Sequence, residues 1–360
     1  MIIDFIAGAR PNFMKIAPMI KAISKYPSSK IEYRLIHTGQ HYDPNMSDTF
    51  FEQLGIPEPN LNLGAGGGTQ AEQTAKIMVG YESLLLTKPC DLCVVVGDVT
   101  STMACSIVAK KQNIKVAHVE AGIRSGDLTM PEEINRMVTD SISDYFFTTS
   151  EVANQNLRAS GFSEKNIYFV GNTMIDSLLS NLHRFQKPNI WDQYGLRDKN
   201  YIVLTLHRPA NVDQEENLEL LINTIIEHSN NLYLVFPVHP RTRQVLNRLR
   251  ISNPYLILLD PLPYLEFNYL VSKSMAVVTD SGGITEETTM LGVPCMTLRS
   301  NTERPETVSI GTNELLGTNP SALEPAMKKL LNGKWKKGEI PPLWDGKTSE
   351  RIIEIILKLF

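Results

Sequence analysis

The chain has 360 residues, enough for two domains of ordinary size with apolar cores that need no disulfide or metal staple. Hydrophobic residues make up 42% and charged residues 21%, the balance of an ordinary globular protein. A formal net charge of -4, from 35 Lys+Arg against 39 Asp+Glu, argues against binding nucleic acid or an anionic membrane through bulk charge, and leaves room for a local basic pocket that holds phosphate.

In chain order, short apolar runs alternate with longer amphipathic stretches. Strands are predicted at 2–6, 33–37, 92–96, 115–119, 145–149 and 167–170, and then at 201–206, 232–237, 256–259, 276–279 and 294–298. Helical patterns between them include 14–24, 71–86, 101–111, 132–142, 216–229 and 284–291. Continuous apolar strands separated by helices read as parallel sheets covered on both faces, and two such sets imply two doubly wound α/β domains. The stretch 181–200 carries no strand pattern and is the expected boundary. The expected domains are residues 1–180 and 181–345, followed by an amphipathic helix in 346–360.

No targeting or membrane segment is expected. The start lacks a basic region, Asp4 interrupts its apolar run, and no stretch approaches the ~20 apolar residues of a spanning helix. Cys90 and Cys93 form a C-x-x-C that leads straight into an apolar run, which reads as ordinary thiols at a buried strand. With Cys105 and Cys295 they suit a reducing compartment, the cytoplasm. Gly64-Ala65-Gly66-Gly67-Gly68 lacks the Lys-Ser/Thr ending of a Walker A loop and reads as a loop before a helix near Thr69. No G-x-G-x-x-G follows the first strand, and no His/Cys cluster has metal spacing.

In open α/β sheets ligands bind beyond the carboxyl ends of the strands, so the residues after each strand are the candidates. Arg10 and Lys15 follow the first strand, Asp98 the third, and Glu120 the fourth. His207-Arg208, His239-Pro240-Arg241 and Asp280-Ser281-Gly282-Gly283 follow strands of the second half. Glycines at a helix start let a phosphate reach unpaired amides, with Glu286 and Glu287 expected in the first turn. A carboxylate there can accept two hydrogen bonds from a ribose diol; a plain helix start with acidic residues favoured by the dipole explains the same pattern. Pro131 opens a helix on which Ile134, Met137, Val138 and Ser141 share one face. Glu132 and Arg136, four apart, share the opposite face, which looks either into solvent as an ion pair or into a cleft. Asp98 alone is equally a helix cap.

The ordered set of motifs resembles the non-hydrolysing UDP-N-acetylglucosamine 2-epimerase family. The matching blocks are Gly8-Ala9-Arg10-Pro11 with Lys15, Thr38-Gly39-Gln40-His41, Gly97-Asp98-Val99-Thr100-Ser101-Thr102, His118-Val119-Glu120-Ala121-Gly122-Ile123-Arg124 and Pro131-Glu132-Glu133-Ile134-Asn135-Arg136. They continue with Gly171-Asn172-Thr173, His207-Arg208, Pro237-Val238-His239-Pro240, Asp280-Ser281-Gly282-Gly283-Ile284 with Glu286-Glu287, and Thr302-Glu303-Arg304-Pro305-Glu306. The resemblance implies a GT-B fold with an interdomain active-site cleft, and a C-terminal helix that returns to the first domain. It implies inversion at C2 of UDP-GlcNAc to UDP-ManNAc, by elimination of UDP to 2-acetamidoglucal and re-addition, with no metal or redox cofactor. Asp98, Glu120, Glu132 and His207 would be catalytic. Arg10, Lys15, His239, Phe267, Ser281, Gly282, Gly283 and Glu287 would bind the substrate, Phe267 against uracil and Glu287 on the ribose. Gln40, His41 and Arg208 are possible allosteric residues, since many bacterial members bind a second UDP-GlcNAc there. Pro209-Ala210-Asn211 replaces the usual Arg-Glu-Asn, which puts that regulation in question. The implied partners are UDP-GlcNAc, UDP-ManNAc, UDP and a second copy of the chain as a homodimer, with no nucleic acid and no membrane. The segment from Thr38 to Gly55 also resembles a branch that epimerises UDP-2,3-diacetamido-2,3-dideoxy-glucuronate. From another class, a GT-B glycosyltransferase or a sugar-nucleotide-binding protein stays open.

Overall fold

The apolar runs become strands with their side chains shut away from water. In the computed structural model, which describes residues 1–27, 30–40, 51, 55–238, 240–249, 251 and 253–360, the contacts divide the chain into two units, 1–180 with 342–360, and 181–341. His41 and His239 lie outside the described residues.

The first unit is built on β1 (Ile2–Ala7), β2 (Glu32–His37), β3 (Leu61–Asn62), β4 (Leu92–Val96), β5 (Lys115–Val119), β6 (Tyr145–Thr148) and β7 (Ile167–Phe169). They form a seven-stranded sheet in the order β3-β2-β1-β4-β5-β6-β7, and the pairings are parallel. β3 has only two residues, too few to show a period, and was not expected. The connecting helices are α1 (Arg10–Ile23), α2 (Gln70–Thr87), α3 (Thr100–Lys111), α4 (Pro131–Ile142), α5 (Glu151–Ala159) and α6 (Thr173–Asn181). α2 starts where the glycine-rich loop ends: Glu72 N–H donates to Thr69 Oγ1 and Thr69 N–H donates to Glu72 Oε2, a reciprocal capping box. Val94, Val95, Val116 and Ala117 are fully buried in the central strands. Each Val, Ile or Leu so buried contributes about 1.5–3 kcal/mol relative to exposure.

The second unit is a six-stranded parallel sheet in the order β10-β9-β8-β11-β12-β13. Its strands are β8 (Tyr201–Thr205), β9 (Tyr233–Pro237), β10 (Leu256–Leu259), β11 (Ala276–Thr279), β12 (Cys295–Thr297) and β13 (Asn313–Leu315). Its helices are α7 (Ile190–Gln193), α8 (Pro209–Val212), α9 (Glu215–His228), α10 (Pro240–Leu249), α11 (Tyr264–Lys273), α12 (Gly282–Leu291), α13 (Pro305–Ser309) and α14 (Leu323–Leu331). In both sheets the order reverses at one point, between β1 and β4 and between β8 and β11. Those reversals are the topological switch points where this class of sheet leaves a crevice.

The tail forms α15 (Thr348–Leu359), with Ile352, Ile353 and Ile356 fully buried. Its first turn has no side-chain cap of its own. Asp176 of α6 supplies one, accepting from the backbone N–H of Thr348 at 3.1 Å and of Ser349 at 2.6 Å. Gly171 keeps φ at +101°, and a Cβ there would stand 2.3 Å from the Leu343 carbonyl oxygen, so only glycine admits this close approach.

One helix contradicts amphipathic reasoning. In α4 the apolar residues Ile134 and Met137 are exposed, whereas Glu133, Asn135, Arg136, Thr139 and Asp140 are buried. The polar face turns inward because it meets the polar loops after β4 and β5 rather than an apolar core. The helix after β11 also starts earlier than expected. It begins at Gly282 rather than Ile284, so Glu286 and Glu287 occupy its second turn and are buried.

The four cysteines are free and buried. Burial pushes the Cys90 thiol up to about 12 and the Cys295 thiol up to about 11, which leaves both as unreactive thiols near neutral pH. No helix among the described residues is long and apolar enough to cross a membrane.

Candidate active site

At the first switch point the chain turns sharply after β1. Asn12 holds the turn: its Oδ1 accepts from the N–H of Gly8 at 3.1 Å and Ala9 at 2.9 Å, and its Nδ2 donates to Val96 O at 2.9 Å. One side chain thus ties the end of β1 to the end of β4. Lys15, one turn further along α1, is buried and donates from Nζ to Glu120 Oε2 at 2.8 Å. Gly97 makes room for that pair, since a Cβ there would lie 3.4 Å from Lys15 Nζ and 3.8 Å from a Glu120 oxygen.

Glu120 itself has φ of 70°, in the left-handed region that costs an ordinary residue roughly 1–2 kcal/mol. Its backbone N–H is fixed on Phe147 O at 2.9 Å. Backbone strain in a buried carboxylate at a strand end is the kind of feature that sites retain for function.

Asp98 is partly exposed, and Arg136 of α4 grips its Oδ2 through Nε at 3.0 Å and Nη2 at 2.6 Å. Arg136 is in turn held through Nη1 by Glu133 at 2.6 Å. Burial raises Glu133, but the Ser125 amide, Arg136 and the Gly126 amide outweigh it and hold the carboxyl below its ordinary value. Glu132, the candidate beside it, is exposed at the start of the same helix. Of the two settings left open for this face, Arg136 takes the inward one, on Asp98 and Glu133, while Glu132 is exposed.

Behind the two loops lies a cluster that sequence reasoning did not select as a site. His118 is fully buried, with Nδ1 2.7 Å from Asp140 and Nε2 2.8 Å from Gly97 O. Arg124 also reaches Asp140 at 2.6 Å. Burial raises Asp140, yet the charges and hydrogen bonds of His118 and Arg124 bring its carboxyl below the usual range. Gln40 accepts from Ser101 N–H at 3.2 Å and from Ser101 Oγ at 2.8 Å, so this residue docks on the start of α3. Arg10 is half-buried at the start of α1.

At the second switch point, β8 ends at Thr205 opposite Thr279 of β11, and their hydroxyls lie 2.7 Å apart. His207 and Asp280 follow. His207 Nδ1 lies 2.8 Å from Asp280 Oδ1; the His207 side chain is 49% exposed and that of Asp280 is fully buried. Ser281, Gly282 and Gly283 start α12. The Ser281 amide donates to Thr279 Oγ1 at 3.0 Å. The amides of Gly282 and Gly283 lie in the first turn, where no intrahelical acceptor reaches them. Apart from its chain neighbours and its own helix backbone, no heavy atom lies within 4 Å of where a Cβ on Gly283 would sit.

On the same helix Glu287 accepts from Asn268 Nδ2 at 3.4 Å. Asn268 adjoins Phe267 on α11, so the two expected nucleoside contacts, Phe267 and Glu287, stand on helices that meet. Arg208 lies 3.9 Å from Glu303, and Glu303 is gripped by Arg299 at 2.7 Å through two bonds. Arg304 pairs with buried Glu286. The pairing of Arg304 with Glu286 across 18 residues could not be read from the sequence, because an ion pair between separate elements has no period. Among the described residues, no group of three or more His, Cys, Asp and Glu is placed to hold a metal.

The first switch point thus carries two carboxylate–cation pairs, and the second a half-exposed imidazole on a buried carboxylate beside a glycine helix start. A sequence model of the UDP-N-acetylglucosamine 2-epimerase family matches residues 22–357. The chain is 42% identical to a UDP-N-acetylglucosamine 2-epimerase of Methanocaldococcus jannaschii, over 99% of both chains. The crystal structure of that protein, in complex with UDP-GlcNAc and UDP, superposes with a TM-score of 0.88 over 99% of this chain and 100% of that one. A UDP-GlcNAc-bound 2-epimerase from Neisseria meningitidis, 30% identical, gives 0.90 with 99% and 100% covered. The chain is also 38% identical to a UDP-2,3-diacetamido-2,3-dideoxy-D-glucuronate 2-epimerase of Pseudomonas aeruginosa, over 98% and 99% of the two chains. With its pair of doubly wound sheets the chain has the GT-B fold, and it belongs to the UDP-N-acetylglucosamine 2-epimerase family of sugar-nucleotide isomerases.

Proposed function

We propose that this chain interconverts UDP-GlcNAc and UDP-ManNAc by inverting C2, and that Asp98, Glu120, Glu132 and His207 carry the chemistry. The observation that carries the reading is the pair of carboxylates at the ends of adjacent strands, Glu120 against Lys15 and Asp98 against Arg136. A binder of UDP needs cations at this point and has no use for acids.

The C2 proton is not acidic, so its removal must develop together with cleavage of the C1–O bond. A carboxylate takes the proton, the C2–H electrons form a C1–C2 double bond, and the C1–O electrons leave with UDP. The products are 2-acetamidoglucal and UDP. Return of a proton to the opposite face of C2, with re-addition of UDP at C1, completes the inversion. Acids on two faces of the sugar serve as base and acid in turn. Arg10, Lys15, His207 and the amides of Gly282 and Gly283 offset the charge that develops on the leaving diphosphate. Phe267 packs on uracil, Glu287 binds the ribose, and Ser281 and His239 are proposed as further substrate-binding residues. Gln40, His41 and Arg208 are proposed to serve a regulatory nucleotide.

The test is proton NMR of the protein with UDP-GlcNAc in deuterated water. UDP-ManNAc carrying deuterium at C2 supports the reading. Free UDP with N-acetylmannosamine would instead mean a hydrolysing enzyme, and an unchanged spectrum would overturn the substrate assignment. The second reading, a diacetamido-uronate substrate, draws on the Pseudomonas relative and is tested with that nucleotide.

A homodimer through the first unit is part of the proposal. Val79 and Leu86 on α2 and Ile134 and Met137 on α4 are exposed, and α3 packs against both helices, so the apolar residues belong to one helical layer. The free thiols suit a cytoplasmic enzyme that supplies an activated amino sugar for polysaccharide biosynthesis.

A further inference from the structure

We infer that Asp280 is a positioning residue for His207: it fixes the imidazole as the Nδ1–H tautomer and turns Nε2 outward as the reactive nitrogen. The inference rests on the catalytic reading of His207 given above.

Asp280 is fully buried and sits one residue beyond β11, directly across the switch point from the end of β8. It is surrounded by donors. Its carboxylate accepts from the backbone N–H of His207 at 3.2 and 3.1 Å, from that of Arg208 at 2.9 Å and from Asn211 Nδ2 at 3.1 Å. His207 Nδ1 completes the set at 2.8 Å.

Burial alone would raise the carboxyl, but the His207 ring, the Arg208 amide and Asn211 together hold it below its ordinary value. An ionised carboxylate has no proton to give. The His207–Asp280 bond therefore requires a proton on Nδ1. In the neutral ring this leaves the lone pair on Nε2, at the edge of a side chain that is half exposed. A neutral His207 can then accept a proton at Nε2. A charged one can donate from Nε2 to a departing phosphate oxygen without losing its hold on Asp280. The charged neighbour on the same loop is Arg208, which faces Glu303.

An amide in place of the carboxylate reverses the logic. The backbone N–H groups of His207 and Arg208 need an acceptor, so an Asp280→Asn side chain would aim its oxygen at them and its NH2 at His207 Nδ1. That geometry forces Nδ1 to accept and moves the proton to Nε2. The same exchange behind the catalytic histidine of serine proteases lowers turnover by roughly 10⁴-fold.

The experiment is long-range ¹H–¹⁵N NMR of the histidine-labelled full chain at a pH where the ring is neutral, with the His207 signal assigned by His207→Asn. The wild type is expected to show the Nδ1–H tautomer; the Nε2–H tautomer overturns the inference whatever the variants do. Asp280→Asn is expected to switch the tautomer and to lower kcat by roughly 10²–10⁴-fold. UDP affinity and KM should change by less than about threefold if Asp280 acts through His207 alone. In the His207→Asn background the same substitution is expected to cost nothing more. A further fall there, or a loss of kcat with the tautomer unchanged, would mean that Asp280 serves only the fold. If Asp280→Asn does not fold, the wild-type tautomer decides. A wild type that holds the Nδ1–H tautomer but does not epimerise UDP-GlcNAc would refute the proposed function and leave the tautomer assignment standing.

Discussion

At the first switch point the strand ends carry carboxylates that meet cations inside the protein, Glu120 on Lys15 and Asp98 on Arg136. At the second, the carboxylate is turned inward and the groups offered outward are a half-exposed imidazole and a helix start made of glycines. The strand order and the parallel register are alike in the two sheets, so the difference comes from a few residues beyond each strand. A sheet of this class supplies a crevice, and the chemistry is written in the loops. The first crevice is lined by carboxylate–cation pairs, and the second by an imidazole backed by a buried carboxylate.

Substitutions that keep shape and remove charge break the comparison most sharply. Glu120→Gln and Asp98→Asn should each lower kcat by at least ~100-fold, as loss of an acid or base does, with UDP affinity little changed. Glu132→Gln should fall as far without loss of stability, because Glu132 is exposed. Near-normal turnover in all three variants would remove the catalytic assignment. Lys15→Met leaves the buried Glu120 without this cation. Breaking a buried pair from one side costs about 3 kcal/mol or more. Thermal and urea unfolding should show that loss; unchanged stability would mean that Lys15 is held ready for a ligand rather than for Glu120.

At the second switch point the expected effects are smaller and of opposite sign. Gly283→Ala adds a methyl group where nothing but its chain neighbours and its own helix backbone stands within 4 Å. Alanine should leave α12 more stable by up to about 0.5 kcal/mol and weaken UDP binding by roughly tenfold, by standing where the diphosphate approaches the amides. Calorimetric titration with UDP checks this. Unchanged affinity would move the diphosphate away from the helix start.

Most of this architecture was legible. The strands at 92–96, 115–119, 256–259 and 276–279 are found where their apolar runs lie, because a buried parallel strand has no polar face to confuse the reading. Residues after the strands were candidates on topology alone, and Glu120, Asp98, Lys15 and His207 stand there. Three kinds of feature were not legible. β3 and β13, with two and three residues, are too short for a period. α4 has a regular amphipathic pattern set the opposite way, since its polar side is needed at the site and its apolar side lies at the surface. Partners such as Arg136 for Asp98 and Asp280 for His207 are joined by the fold across 38 and 73 residues, and spacing cannot report them.

Acid sensitivity sharpens the same comparison at the level of protons. Asp280, Asp140 and Glu133 all have carboxyls held below their ordinary values, because hydrogen bonds and neighbouring charges outweigh burial. A depressed folded value means that the unfolded chain binds protons first. The stability from these groups is present above the unfolded carboxylate value of about 4 and is lost as the pH falls through the folded values. Asp176, the cap of α15, has the opposite sign: burial raises it above its ordinary value, so its contribution declines as the pH rises through that raised value. Urea unfolding between pH 3 and 7 should therefore show stability falling below about pH 4 in the wild type, a shallower acid limb in Asp280→Asn, and no such relief in Asp176→Asn. If Asp280→Asn and the wild type lost stability in parallel down to pH 3, the ionised Asp280 would not be what holds the second switch point together.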